Sequence, residues 1–228
     1  MRVVSLVPSV TETLLAWQIT PIAVTRFCEQ PNLPHVGGTK NPDVEAIAAL
    51  RPDLVVLCDE ENRREDADAL RTARVPIHVM TVESVDDVVP ELRRLADALG
   101  IDEDVEDPPA PPARPQRTSA FIPIWRRPWM SMNTATYGSS LLASIGVRNV
   151  FADAPDRYPT VTLEEARARE PDLVLAPTEP YPFTERHRTE LESVAPVELV
   201  DGQDLFWWGV RTASARERLS RRLERSSR

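Results

Sequence analysis

The segment "RPDLVVL" (Arg51–Leu57) returns as "EPDLVLA" (Glu170–Ala176), 119 positions further on, and each copy follows a short helical pattern. Proline cannot continue helical hydrogen bonding, and it pushes the residue before it out of the helical region. The Leu-Val run that follows is nearly continuous in apolar residues, as expected of a strand covered on both faces. Each copy therefore marks a tight helix-to-strand turn. It is a structural device rather than a catalytic motif, and a chain that uses it twice is expected to hold two α/β halves.

The rest of the chain alternates in the same way. Arg2–Val7 reads as a buried strand. Ser9 and Glu12 then stand at capping-box spacing ahead of a short helix. Pro21–Thr25 is a second strand, Asn41-Pro42 a helix start with Asn41 as N-cap, and Asp53–Cys58 and Pro76–Met80 further strands. Val88, Leu92, Leu95 and Leu99 share one face of a helix closed by Gly100. Pro90 would cost about 3 kcal/mol deep inside that helix, so the helix kinks there or begins nearby. The second half offers strands at Thr118–Trp125, Asp172–Ala176 and Val197–Val200. Its helices fall at Ser139–Gly146, at Thr160–Glu170 with a Thr162/Glu165 capping box, at Thr184–Val194 and at the C-terminus. Between the halves, Ile101–Arg117 carries five prolines and reads as an extended linker rising about 3.1 Å per residue. The expected organisation is an N-terminal α/β lobe over 1–83, a joining helix and proline-rich linker over 84–117, and a C-terminal α/β lobe over 118–228. The fold class is α/β, with two Rossmann-like lobes, parallel sheets and a ligand cleft between the lobes.

Several functions are disfavoured. The formal charge of −9 argues against a nucleic-acid role, which needs a basic face. Cys28 and Cys58 are too few for a disulfide framework and read as free thiols. No run approaches the ~20 apolar residues of a membrane span. The N-terminus lacks the layout of a secretory leader. Read literally the chain is cytoplasmic, and it is periplasmic or extracellular if a leader has been removed. No phosphate-binding loop, nucleophile elbow or dinucleotide fingerprint appears. His35, His78 and His187 have no tight ligand spacing with the cysteines, so no protein–metal site, covalently bound cofactor or catalytic residue is assigned. A Cys28 nucleophile served by His35 is the enzymatic alternative.

Ligands of open α/β sheets bind beyond the carboxyl ends of strands. In the first half that rule selects Pro8 and Ser9, where a helix N-terminus favours polar or anionic groups. It also selects Phe27 and Cys28, Gly38 and Thr39, and Glu61 and Asn62. In the second half it selects Trp125 and Trp129, then Glu179, Tyr181 and Phe183, and then Trp207 and Trp208. Four of the five tryptophans thus fall in strand-end loops of the second half. Large flat rings suit a planar macrocycle; the competing reading is that they plug the lobe interface.

"RVVSLVPSVTETLLAW", "FCEQP", "VGGTKNPDVEAIAALRPDLVVLCDEENRREDADAL", "PTEPYPFTERH" and "VDGQDLFWWG" together resemble the helical-backbone (class III) substrate-binding proteins of ABC importers, from about Arg2 to Gly209. The resemblance implies two lobes joined by one long helix, here shortened. It implies non-enzymatic binding of a metal chelate such as a cobalamin-like corrinoid, haem or a ferric siderophore. It also implies docking to an ABC permease through one surface glutamate per lobe, for which Glu65 and Glu185 stand near the expected places. The alternative is a cytoplasmic relative that has no transport role and binds another small ligand or a protein partner.

Overall fold

The computed structural model describes residues 1–102 and 118–226. Beyond its first two residues, the expected proline-rich linker lies outside them. No helix among the described residues is long and apolar enough to cross a membrane.

The first unit contains β1 (Val3–Ser5), α1 (Pro8–Ala16), β2 (Ala23–Val24), β3 (Gly37–Gly38), β4 (Asn41–Pro42), α2 (Val44–Ala49), β5 (Leu54–Cys58), α3 (Arg64–Thr72) and β6 (Ile77–Met80). α4 (Val85–Leu99) follows and, from Asp86 on, groups with this unit, as do Trp208–Val210. Its main sheet has the order β2-β1-β5-β6, and every pairing is parallel. β1 and β5 lie in the middle and are buried throughout, and β5 accordingly reads as an unbroken apolar run. One face of the sheet packs Val4, Leu6, Val55 and Leu57 against Ile47 of α2 and Ala67 and Leu70 of α3.

The second unit contains β7 (Thr118–Phe121), β8 (Trp129–Met130), α5 (Tyr137–Ser144), β9 (Val147–Asn149), β10 (Thr160–Val161), α6 (Leu163–Ala168), β11 (Leu173–Pro177), a 3-10 turn (Glu185–His187), α7 (Arg188–Leu191), β12 (Val197–Val200), α8 (Gly202–Phe206) and α9 (Thr212–Ser226). Its main sheet runs β12-β11-β7-β9, again all parallel. β7 therefore takes the place of β1, β9 of β2, β11 of β5 and β12 of β6. The core is built on Phe121, Phe151, Val174, Ala176, Phe183 and Leu191.

The doubled Pro-Asp is the same construction in both sheets. Arg51 and Glu170 close their helices at positive φ, +47° and +48°, the left-handed conformation that commonly ends a helix. Pro52 and Pro171 are buried behind them. The aspartate then clamps the start of the neighbouring first strand. Asp53 Oδ2 accepts from the Arg2 N–H at 2.5 Å, and Asp172 Oδ2 accepts from the Ser119 N–H at 2.6 Å. In return the Asp53 N–H donates to the Arg2 carbonyl and the Asp172 N–H to the Ser119 carbonyl.

Three local expectations are corrected. α1 starts at Pro8, whose fixed φ suits the first helical position, so Val7 is its N-cap and Ser9 does not cap. Asn41 pairs across a hairpin with Gly38, and Asp43 caps α2 instead, accepting from the Ala46 N–H at 2.9 Å. The stretch after β12 is not loop throughout, because Asp201 accepts from the Gln203 N–H and caps the short α8. Pro90 is the sixth residue of α4, which begins close before it at Val85. The Thr162/Glu165 capping box forms as expected, with both reciprocal hydrogen bonds present.

Candidate functional site

In each sheet the chain departs from the two middle strands in opposite directions, which leaves a crevice at their carboxyl ends where α/β folds place ligands. In the first unit this switch point lies beyond β1 and β5. In the second it lies beyond β7 and β11. The two are built from different chemistry.

At the first switch point Asn62 spends its amide on the protein. Its Oδ1 accepts from the Cys58 N–H at 2.9 Å, while its Nδ2 donates to the Thr39 carbonyl at 2.9 Å and the Leu6 carbonyl at 3.4 Å. One buried side chain thus ties three strand-end segments together. Asn62 is a positioning residue rather than the ligand contact expected from its place in sequence. Gly38 lets two side chains lie close over the backbone: a Cβ there would meet Asn41 Oδ1 at 2.6 Å and Phe27 Cε2 at 3.1 Å. Thr39 presents its carbonyl to Asn62, and its side chain is half-buried. Phe27 itself is 50% exposed, with the Arg26 guanidinium 4.9 Å from its ring centroid.

Cys28 is buried, its sulfur 3.2 Å from the Thr25 hydroxyl. Burial pushes its thiol pKa up, and the Glu61 carboxylate adds to the rise. A reactive thiolate needs the opposite environment. His35 is exposed, with Nε2 3.1 Å from the Gln30 carbonyl, and does not serve Cys28. Among the described residues no three His, Cys, Asp or Glu side chains stand together as a metal site. Glu61 is half-buried, and its charge also acts on the Cys58 thiol.

At the α1 N-terminus Pro8 and Ser9 are both buried. The Ser9 hydroxyl has no hydrogen-bond partner among the described residues.

The second switch point is aromatic. Trp125 is 44% exposed and stands edge-on to Tyr181, with ring centroids 5.6 Å apart. Beneath them Tyr181 leans on Phe183 at 4.8 Å, and Trp129 stacks on Phe183 at 6.0 Å. Phe183 is 0% exposed and belongs to the core. Its ring is packed among core side chains and supports the exposed rings, where the sequence had suggested a ligand contact. Trp129 is half-buried against the same core, with Arg126 over its ring and salt-bridged to Glu190 at 2.9 Å. His187, which sequence reasoning left without a role, lies behind Tyr181. It is buried, and its Nδ1 accepts from the Thr184 N–H at 3.0 Å. Burial first, then Arg186 and Arg126, lower its pKa and so favour the neutral ring. Its nearness to the strand end was the only sequence signal available.

Glu179 is half-buried against Gly202, where any Cβ would meet the Glu179 backbone N at 2.5 Å. The adjacent tryptophans part company. Trp207 is half-buried under the Arg211 guanidinium, 4.9 Å from its ring centroid. Trp208 is 3% exposed and groups with the first unit. The backbone turns sharply just after it at Gly209, φ +113°. Trp208 is a packing residue, contrary to the expectation of a ligand-facing pair. Glu65 is exposed in the first turn of α3, and Glu185 is exposed but gripped by Arg188 at 2.6 and 2.9 Å.

Residues 3–107 match the model of a family described as periplasmic binding protein. The vitamin B12-binding protein BtuF of Vibrio cholerae superposes with a TM-score of 0.81 at 18% identity, covering 100% of this chain and 98% of that one. The chain has the fold of the periplasmic binding proteins. The haem-binding protein RhuT from Roseiflexus sp. RS-1 shares the fold at TM-score 0.78 and 22% identity, over 100% of this chain and 99% of that one. In sequence, the Vitamin B12-binding protein of Pectobacterium carotovorum subsp. carotovorum (strain PC1) is 28% identical over 193 residues, covering 76% of this chain and 70% of the relative. Such relatives are binding proteins. Within the periplasmic-binding-protein fold, the two switch points are the places where this chain differs from lobe to lobe, polar and glycine-rich in one and aromatic in the other.

Proposed function

We propose that the protein binds a metal chelate without transforming it, as the substrate-binding component of an ABC importer, and that the chelate is a cobalamin-like corrinoid. The observation that carries this reading is the placement of Phe27 and Trp125, the exposed aromatic rings at strand-end loops, in a chain whose relatives include vitamin B12-binding proteins. Flat rings held by a rigid scaffold supply contact area to a macrocycle at little entropic cost. Tyr181 backs Trp125, while Pro8, Ser9, Thr39, Glu61, Glu179 and Trp207 complete the ligand-facing set. Such a protein works on the periplasmic or extracellular side of the membrane and hands its cargo to a permease, with Glu65 and Glu185 as the docking carboxylates.

Titration of the purified protein with cyanocobalamin, haem and a ferric siderophore, followed by tryptophan quenching and calorimetry, tests the reading. Micromolar or tighter binding of cyanocobalamin is the expected result. Absence of micromolar binding across the panel overturns it.

A further inference from the structure

The first turn of α1 is a set of hydrogen-bond donors without an acceptor. The first N–H groups of an α-helix have no intrahelical partner. Here Pro8 has no N–H, and Val7 at the N-cap provides no side-chain cap. That leaves the N–H groups of Ser9 and Val10, both residues buried, at 1% and 0% exposure. The Ser9 hydroxyl joins them. It is buried and unpartnered, and a helical Cβ tilts toward the N-terminus of its own helix. Buried polar groups are nearly always satisfied, so three such donors at the switch point of the sheet call for an oxygen from outside the chain.

The charge of that oxygen follows from what surrounds it. α1 itself carries no lysine or arginine. The Asn62 amide is already engaged by backbone groups. The charge felt by the neighbouring Cys28 thiol is the negative one of Glu61. The cations of this switch point are engaged elsewhere, Arg26 over the Phe27 ring and Lys40 on the Glu60 carbonyl, and a helix terminus alone favours an anion by less than the cost of dehydrating a carboxylate. A neutral acceptor gains the three hydrogen bonds without that cost.

We propose that the first turn of α1 is a subsite for a neutral carbonyl oxygen of the ligand. The group is a carboxamide of the kind that rings a corrin, not a carboxylate such as a haem propionate. This rests on the chelate-binding function proposed above and assigns Ser9 as the residue that sets the preference.

The test compares cyanocobalamin and haem binding by calorimetry in the parent, Ser9→Ala and Ser9→Asp. Ser9→Ala should weaken cyanocobalamin by about three- to tenfold, the worth of one hydrogen bond, and leave any haem affinity within twofold. Ser9→Asp, which places a carboxylate among the donors, should weaken cyanocobalamin further. The unliganded Ser9→Ala protein should melt no lower than the parent, because the hydroxyl has no protein partner to lose; this melt also confirms that the variant is folded. A parent that binds neither ligand ends the function and the subsite together. A parent that binds cyanocobalamin with a Ser9→Ala variant of equal affinity overturns the subsite alone. A fall in haem affinity equal to or larger than that for cyanocobalamin overturns the preference for a neutral oxygen.

Discussion

Asp172 accepts two hydrogen bonds from Ser119, one from the backbone N–H at 2.6 Å and one from the hydroxyl at 2.8 Å. These bonds hold its carboxyl below the usual carboxylate range. A depressed folded-state pKa stabilises the protein above the unfolded value, near pH 4, and that contribution disappears as the pH falls through the folded value. Asp172→Ala should therefore cost about 1–2 kcal/mol at pH 7, discounted for the exposure of the carboxylate. The difference from the parent should shrink below about pH 4. Urea unfolding at pH 7 and pH 3 checks both; a gap that stays constant with pH would contradict the assignment.

Arg51 and Glu170 hold the same strained backbone region at φ +47° and +48°. The left-handed conformation costs a side-chain-bearing residue about 1–2 kcal/mol, and glycine returns part of this through its unfolded-state entropy. Arg51→Gly and Glu170→Gly should each raise stability by about 0.5–1 kcal/mol. Thermal melts of the single and double variants should give additive shifts, since the two turns belong to different units.

Exposed and buried rings should separate cleanly on truncation. Trp125→Ala and Phe27→Ala are expected to weaken cyanocobalamin binding at least tenfold, about 1.4 kcal/mol, with small changes in melting temperature. Phe183→Ala is expected to destabilise by about 3–5 kcal/mol. Calorimetry beside thermal melts distinguishes the two classes, and an unchanged affinity for both surface variants would remove the aromatic platform from the site.

Gly202 leaves no room for a Cβ beside Glu179, whose backbone N and O would lie 2.5 and 2.8 Å away. Gly202→Ala should cost about 1–3 kcal/mol as the β11 and β12 loops are forced apart. It should also disturb the Trp207 environment, read as a change in near-ultraviolet circular dichroism.

Charge reversal at Glu65 and Glu185, the proposed docking carboxylates, should act on transfer and not on capture. Glu65→Lys and Glu185→Lys should leave cyanocobalamin affinity within twofold while lowering ligand-dependent ATP hydrolysis by the reconstituted permease. Glu185 is already paired with Arg188, so its reversal also releases that arginine, and the smaller effect is expected there. Unchanged ATP hydrolysis in both variants would place docking elsewhere.

The elements that could be read from the sequence were those whose signals act locally. Pro-Asp after a helix, the Thr162/Glu165 box and the apolar runs of β5 and β11 each fix their own backbone, and each appears where expected. Ser9 misled because a capping box has the same spacing whether or not a proline starts the helix one residue earlier. β9 went unread because three residues, Val147–Asn149, directly after Gly146 are too few to show alternation. The strand-end rule selected loops at the sheet ends but could not tell the half-buried Trp207 from the buried Trp208, or the exposed Trp125 from the buried Phe183. Which ring a loop buries depends on tertiary packing and leaves no trace in spacing.

The aspartate clamps also bear on how the chain folds. They join residues 51 positions apart in the first sheet and 53 in the second, and each main-sheet pairing stays within one half of the chain. By loop-closure scaling the entropic costs of these two closures differ by about 0.03 kcal/mol. Topology thus gives neither sheet a head start, and each searches as a domain of half the chain's length. If one half forms first, the reason lies in its side chains, with the larger aromatic core of the second unit as the difference to probe.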